Sequence, residues 1–203
     1  MGNRAISEEL VEETTRFHGH WCPGLAIGIR AAEWVLSEMG RAQDEEIVAV
    51  VETDMCAVDA IQYLTGCTFG KGNLIYRDYG KSAFTFYRRR DGKAARLVVK
   101  PASRTKDRVM MEKLHQKMQE KGLTGDEEKA MQEGRAESSR RIMESRLTDL
   151  FDIKPADGPV PKKARLLSSL ACESCGETVM ETRTRRFKGQ VLCIPCFEVA
   201  ERR

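Results

Sequence analysis

Residues 47–64 read IVAVVETDMCAVDAIQYL, and this stretch decides the fold class. Its first five residues form a continuous apolar run that is typical of a buried strand. Residues 56–64 have the composition of a helix that Gly66 closes. Further strand-like runs follow, at 73–77, 82–90 and 93–100. A strand that feeds a helix and then a meander of strands predicts a largely antiparallel sheet.

Two short helices are predicted before this stretch. The first covers residues 7–16, with Ser7 as its N-cap. The second covers residues 23–39, because Pro23 suits the first helical position and Gly40 follows the last one. The resulting order predicts an α+β fold, in which helices pack on a mostly antiparallel sheet.

The second half of the chain divides into three predicted parts. Residues 104–121 and 126–147 are highly charged, with Met and Leu at helical intervals, which predicts helices with an apolar face for the core or for a second copy. Residues 154–163 contain three prolines and predict an extended linker. We therefore expect a core domain over 1–153, this linker, and a small finger over 164–203.

The finger is predicted from four of the seven cysteines. They form two C-x2-C pairs separated by seventeen residues: Cys172, Cys175, Cys193 and Cys196. Because no secretion signal precedes them, this spacing favours a structural zinc site over disulfides. A turn at Lys188-Gly189 and a helix-prone tail predict a treble-clef or zinc-ribbon-like finger.

The finger also carries a short basic edge, made of Arg183, Arg185, Arg186 and Lys188. Such an edge could meet phosphates, but acidic residues are interspersed with it. The chain as a whole has a net charge of only +3. Nucleic-acid binding is therefore an alternative that the sequence does not favour.

A second cluster of candidate metal ligands lies in the first third of the chain. Two of the three histidines, His18 and His20, alternate with Cys22 at the start of a predicted helix. Cys56 and Cys67 also sit at a helix start or on a turn. We predict that these five residues share one pocket for zinc or another soft divalent ion. The alternative is that each thiol is simply a buried apolar group.

Other chemistry at this cluster is less well supported. Cys22 as a nucleophile with His20 as its base is chemically permitted, although the sequence offers no oxyanion donors. Asp59, Lys71 and Lys81 would be polar helpers. The glycine-rich loop around Lys71 does not match a phosphate-binding loop, because three residues instead of four separate its first two glycines.

Four separate segments of the first hundred residues resemble the E subunit of formylmethanofuran dehydrogenase. They are HGHWCPG at 18–24, DMCAVDAIQ at 54–62, GCTFGKGN at 66–73 and YGK at 79–81. The resemblance implies an α+β core that is often dimeric, with a metal site built from the His and Cys of the first segment. It also implies a C-terminal four-cysteine finger, and an archaeal or anaerobic-bacterial, methanogenesis-related context.

The resemblance further implies an accessory component of a molybdenum or tungsten enzyme that reduces carbon dioxide onto methanofuran. The chain has no cysteine runs of iron–sulfur type and is too short for a pterin domain, so formyl oxidation is not its own reaction. We expect a cytoplasmic protein, because no apolar stretch is long enough for a bilayer. The resemblance implies that it is a homodimer, and the two clusters of candidate ligands predict that it binds zinc. The alternative is a regulatory module that docks through its finger onto a larger enzyme or a nucleic acid.

Overall fold

The computed structural model of the protein describes residues 6–101 and 106–202. The chain forms two compact units, Met1–Lys163 and Ala164–Arg203. The first two residues of the helix predicted over 104–121 lie outside the described residues. None of the helices in the described parts combines the length and the apolar character that crossing a bilayer requires.

The helices of the first unit are α1 (Glu8–His18), α2 (Pro23–Glu38), α3 (Ala57–Thr65), α4 (Lys106–Glu120), α5 (Gly125–Glu144) and the single turn α6 (Leu147–Leu150). Its strands are β1 (Ile47–Val51), β2 (Leu74–Tyr76), β3 (Ala83–Arg88), β4 (Ala94–Val99) and β5 (Phe151–Lys154). The strands form one sheet in the order β2-β1-β3-β4-β5. β2 runs parallel to β1, and the other neighbours are antiparallel. The predicted α+β architecture with a mostly antiparallel sheet is therefore confirmed.

The central strands bury both of their faces. Alternate residues of β1 point to opposite sides, so Val51 joins the main core with Phe84 and Phe86, whereas Val48 and Val50 face the other way. α2 and α3 pack against each other beside the main core. This burial on both faces explains why β1 reads as an unbroken apolar run.

The segment predicted as a linker covers the second face of the sheet. Ala156 and Val160 pack against the cluster that contains Val48 and Val50. The hydroxyl of Tyr87 donates to the carbonyl oxygen of Asp157 at 3.2 Å. The predicted domain boundary at residue 153 falls inside β5, which pairs with β4, so the first unit continues to Lys163. Proline content indicated an extended backbone here but did not show that the backbone was packed.

The second unit is a small finger. Two hairpins, β6 (Ser169–Ala171) with β7 (Thr178–Met180) and β8 (Thr184–Phe187) with β9 (Gln190–Cys193), precede the helix α7 (Ile194–Glu201). Its small core contains Cys172, Leu192 and Cys193. Phe187 and Phe197 meet edge-to-face, with ring centroids 5.7 Å apart. So few apolar side chains make little core, which is the usual reason for a metal in a unit of this size.

Candidate metal centres

The loop between α1 and α2 presents His18, His20 and Cys22 within five residues. α1 ends at His18 because Gly19 adopts a left-handed conformation, with φ of 94°, and its amide donates to the Thr15 carbonyl at 2.8 Å. α2 begins directly after Cys22, whose sulfur accepts from the amide of Leu25 at 3.3 Å. The sharp reversal between the two helices thereby turns the three side chains toward one another.

Cys56 reaches this loop from the start of α3. It is the N-cap residue of that helix and is half-buried, as is Cys22. Two glycines of α2 allow the approach. A Cβ on Gly24 would lie 3.1 Å from the Cβ of Cys56, and one on Gly28 would lie 2.2 Å from the carbonyl oxygen of Ala57. The close contact of α2 with α3 is therefore what carries Cys56 to the loop.

Among the described residues, four donors converge here: His18, His20, Cys22 and Cys56. One ligand atom from each lies within 4.8 Å of all the others. A tetrahedral zinc ion with nitrogen and sulfur ligands needs donor–donor separations of about 3.3–3.8 Å. Small rotations of the side chains would close that difference. We call this group the core cluster.

His18 is held in a ligand-like orientation. Its Nδ1 lies 2.7 Å from a carboxylate oxygen of Asp59, in the first turn of α3. This contact leaves Nε2 facing the cluster, where it lies 4.0 Å from the sulfur of Cys22. A carboxylate behind a histidine is the common supporting partner of a metal-bound imidazole, because it fixes the tautomer and the ring. Asp59 was predicted only as a polar helper, and the structure places it behind this ligand.

The charge of the four donors also matches that of a divalent metal ion. Burial, reinforced by the adjacent Cys22 thiol, raises the pKa of Cys56 above its ordinary value. A metal ion would displace that proton, since cysteine binds metals as the thiolate. Two thiolates and two neutral imidazoles would then balance the charge of one divalent ion, and an N2S2 tetrahedron is typical of zinc.

Three predicted members of this site lie elsewhere. Cys67 is fully buried, and its thiol donates to the carbonyl oxygen of Ile47 at 3.5 Å, so it behaves as a small apolar core residue. Burial raises the pKa of this thiol. Lys71 donates to a backbone carbonyl at 3.4 Å, and the ammonium of Lys81 lies over the Tyr79 ring. The structure therefore brings together four of the five expected ligands, and Cys67 is not among them, because the length of α3 separates Cys67 from Cys56.

The four cysteines of the finger converge as their spacing predicts: Cys172, Cys175, Cys193 and Cys196 each bring a sulfur within 4.8 Å of the others. The backbone amide of Cys193 donates to the sulfur of Cys172 at 3.3 Å. Amide donors from Cys175 and Cys193 lower the pKa of the Cys172 thiol to about 6. One thiolate is thus ready near neutral pH, and a closed set of four thiolates holds a fold together.

An open cleft of about 720 Å³ adjoins the core cluster. His20 and Trp21 form one side of it, and the α4–α5 hairpin forms the other. The hairpin contributes Met118, Gly122, Leu123, Glu128, Met131, Gln132, Arg135 and Ala136. His20 therefore belongs both to the cluster and to the wall of the cleft, and its side chain is the exposed one of the four.

Sequence reasoning missed two features of this region. The four-residue spacing of Gly24 and Gly28 on α2 was a readable sign of close helix packing, since small residues at that spacing face one way. The sequence contains no comparable sign of the cleft. It depends on the fold of α5 back onto α2, and the Met and Leu stripe of the charged helices indicated only a packing face.

Comparisons with known proteins agree with this division of the chain. Residues 17–152 match the family described as "FmdE, Molybdenum formylmethanofuran dehydrogenase operon". Residues 165–202 match the prokaryotic dksA/traR C4-type zinc finger. All four donors of the core cluster lie within the first match, and all four finger cysteines lie within the second.

Two individual proteins are similar over nearly the whole chain. A probable S-adenosyl-L-methionine-binding protein from Archaeoglobus fulgidus is 30% identical over 195 residues, which is 92% of this chain and 52% of that protein. The chain thus spans about half the length of this curated relative. The crystal structure of a tungsten formylmethanofuran dehydrogenase FmdE-like protein from Syntrophus aciditrophicus superposes with a TM-score of 0.60 at 23% identity. The superposition covers 99% of this chain and 98% of that one, and it shows a shared fold.

Proposed function

Since the chain belongs to the FmdE family, we propose that it is a zinc protein with two separate metal sites, one in each unit. The first site is the core cluster, and the second is the four-cysteine finger. The observation that carries the proposal is the convergence of two nitrogen and two sulfur donors from three different helix ends, with Asp59 behind one of them.

The two sites have different roles. The finger offers four thiolates and a small core, so its metal stabilises the fold. In the core cluster, three donors are half-buried and held by α1, α2 and α3, whereas His20 lies exposed on a loop. We infer that His20 is the ligand that an incoming molecule can replace, which would leave three protein ligands and an open position. Catalytic sites of zinc proteins have that arrangement, and the metal would act there as a Lewis acid.

Cobalt substitution tests the proposal directly. Full-length protein with Cys172→Ser and Cys193→Ser would be titrated with Co²⁺, so that the finger does not contribute to the spectrum. We expect intense tetrahedral d–d absorption together with sulfur-to-cobalt charge-transfer bands. Adding Cys56→Ser should weaken the charge-transfer bands, whereas adding Cys67→Ser, the matched control, should leave them unchanged. Bands that respond equally to both serine substitutions would reject the core cluster as the site.

Binding of a small molecule next to the core cluster is a second candidate function. The cleft on the His20 side has the volume of a small-molecule site, for which about 300–1,000 Å³ is usual. The name of the Archaeoglobus fulgidus relative suggests S-adenosyl-L-methionine as the first compound to test. Equilibrium dialysis with labelled S-adenosyl-L-methionine should show one binding site per chain. If the wild type binds no more of the labelled compound than a Trp21→Ala variant does, this compound is excluded.

A further inference from the structure

We propose that the cleft beside the core cluster binds a small organic carboxylate with an apolar body, and that Arg135 is the residue that anchors the carboxylate. The inference deepens the second candidate function, but it does not depend on which compound is the natural ligand. It is based on the composition of the cleft walls and on the contacts that orient Arg135.

The walls of the cleft are mostly apolar. Trp21 is partly exposed on one side, and Met118, Leu123 and Met131 lie on the other. Met131 is only 4% exposed, so the floor of the cleft is continuous with the packed interior. Flexible methionines and an aromatic ring accept an apolar body of varied shape. The cleft is therefore suited to an organic molecule and not to an inorganic anion alone.

The cationic group on the wall is held in place. Nδ1 of His115 donates to the carbonyl oxygen of Met111 at 2.8 Å, which in the neutral ring makes Nε2 an acceptor. That nitrogen lies 3.3 Å from a terminal nitrogen of Arg135. This chain of contacts crosses from α4 to α5 and orients the guanidinium without neutralising it, since His115 brings no negative charge.

No carboxylate pairs with Arg135 among the residues that the structure describes. Other arginines of the first unit do have such partners: Arg88 pairs with Asp91, and Arg96 pairs with Glu52. A guanidinium fork can bind two oxygens of either a carboxylate or a phosphate. Arg135 is the one Arg or Lys side chain among the described residues that line the cleft, so we favour the singly charged carboxylate over a phosphate, which carries more charge.

Glu128 is the acidic residue of the wall, and it does not cancel this site. It lies seven residues before Arg135 on α5, which places it about 10 Å away along the helix. Within the described parts, no side-chain contact orients Glu128 as His115 orients Arg135. An oriented group loses less freedom on binding, so the cleft should prefer an anion over a cation.

Methyl NMR on full-length protein labelled with [13C-methyl]methionine tests the inference. The probes are 4-phenylbutyrate and its neutral and cationic analogues, 4-phenylbutanol and 4-phenylbutylamine. We expect 4-phenylbutyrate to shift the Met118 and Met131 methyl signals, and to leave Met180 in the finger unshifted. The two analogues should bind about tenfold more weakly, because a charge-assisted hydrogen bond is lost.

Two variants distinguish the anchor from the general charge of α5. Arg135→Gln should weaken 4-phenylbutyrate binding about tenfold and leave 4-phenylbutanol unchanged. The control Arg140→Gln removes the same charge from the same helix, at a residue that pairs with Glu137 and Glu144 outside the cleft, and should have no effect. Equal binding of all three probes, preference for the amine, or unchanged binding in Arg135→Gln would overturn the proposal. If 4-phenylbutyrate shifts the methionine signals but dialysis shows no binding of S-adenosyl-L-methionine, that compound is rejected as the ligand, and the cleft remains a carboxylate-binding site.

Discussion

Replacing Gly28 with alanine tests the close contact between α2 and α3 on which the core cluster depends. The added Cβ would lie 2.2 Å from the Ala57 carbonyl oxygen and 2.6 Å from the Ala57 Cα. Ordinary contact begins near 3.4 Å, so the two helices must separate by about 1.2 Å. Both opposing atoms belong to the backbone, and a side-chain rotation cannot relieve the clash.

The magnitude follows from two opposing effects. Overpacking of this kind costs about 1–3 kcal/mol, and a backbone clash belongs at the upper end of that range. Alanine also favours a helix over glycine by about 1 kcal/mol. We therefore expect Gly28→Ala to lower the free energy of unfolding of the first unit by about 2 kcal/mol.

Tryptophan fluorescence during urea unfolding can isolate the first unit, because both tryptophans, Trp21 and Trp34, lie in it. Gly125→Ala, at the first position of α5, is the matched control, since among the described residues nothing outside its own helix and chain neighbours lies within 4 Å of the added Cβ. It should be neutral or slightly stabilising. Metal binding by the core cluster should weaken in Gly28→Ala, because Cys56 moves with α3. Equal unfolding curves and equal metal affinity for wild type and Gly28→Ala would refute this reasoning.

Three further outcomes are expected. Asp59→Asn should weaken zinc binding by the core cluster about 10- to 100-fold in a chelator competition, because His18 loses its anionic partner; unchanged affinity would make the contact incidental. The hydrogen bond from Lys117 lowers the pKa of Glu127 to about 2 from its usual 4.5, so its stabilising effect is present above pH 4.5 and is lost as pH falls from 4.5 toward 2. Circular dichroism should therefore show a smaller loss of helix across that range in Glu127→Gln than in wild type, and parallel curves would contradict this. Cys172→Ser should make the finger sensitive to protease while tryptophan fluorescence stays native, whereas a resistant finger would mean that zinc does not hold it.

Much of the fold could be predicted because local patterns carry it. The unbroken apolar run of β1 indicated a strand buried on both faces, and Ser7 and Pro23 marked the starts of two helices. β5 was missed, because its four residues directly follow the single turn α6 and pair with a strand more than fifty residues earlier in the chain. Pairing at that range depends on the packed core and not on a local signal.

The two candidate metal sites also differ in how far local sequence determines them. The finger cysteines are spaced by two tight turns, so sequence alone predicted their meeting. In the core cluster, the placement of Cys56 and Cys67 depends on where α3 begins and ends. Helix α3 spans nine residues, about 13 Å, so two thiols at its opposite ends cannot both reach the α1–α2 loop. The homodimer, the larger dehydrogenase complex and the cytoplasmic location stay predictions from the sequence.

The most direct test of the core cluster is the zinc content of purified full-length protein, measured by elemental mass spectrometry. We expect two zinc ions per chain in the wild type. A Cys22→Ser, Cys56→Ser variant and a Cys172→Ser, Cys193→Ser variant should each retain one. A wild type that holds a single zinc ion, lost only from the finger variant, would contradict a metal site in the core cluster.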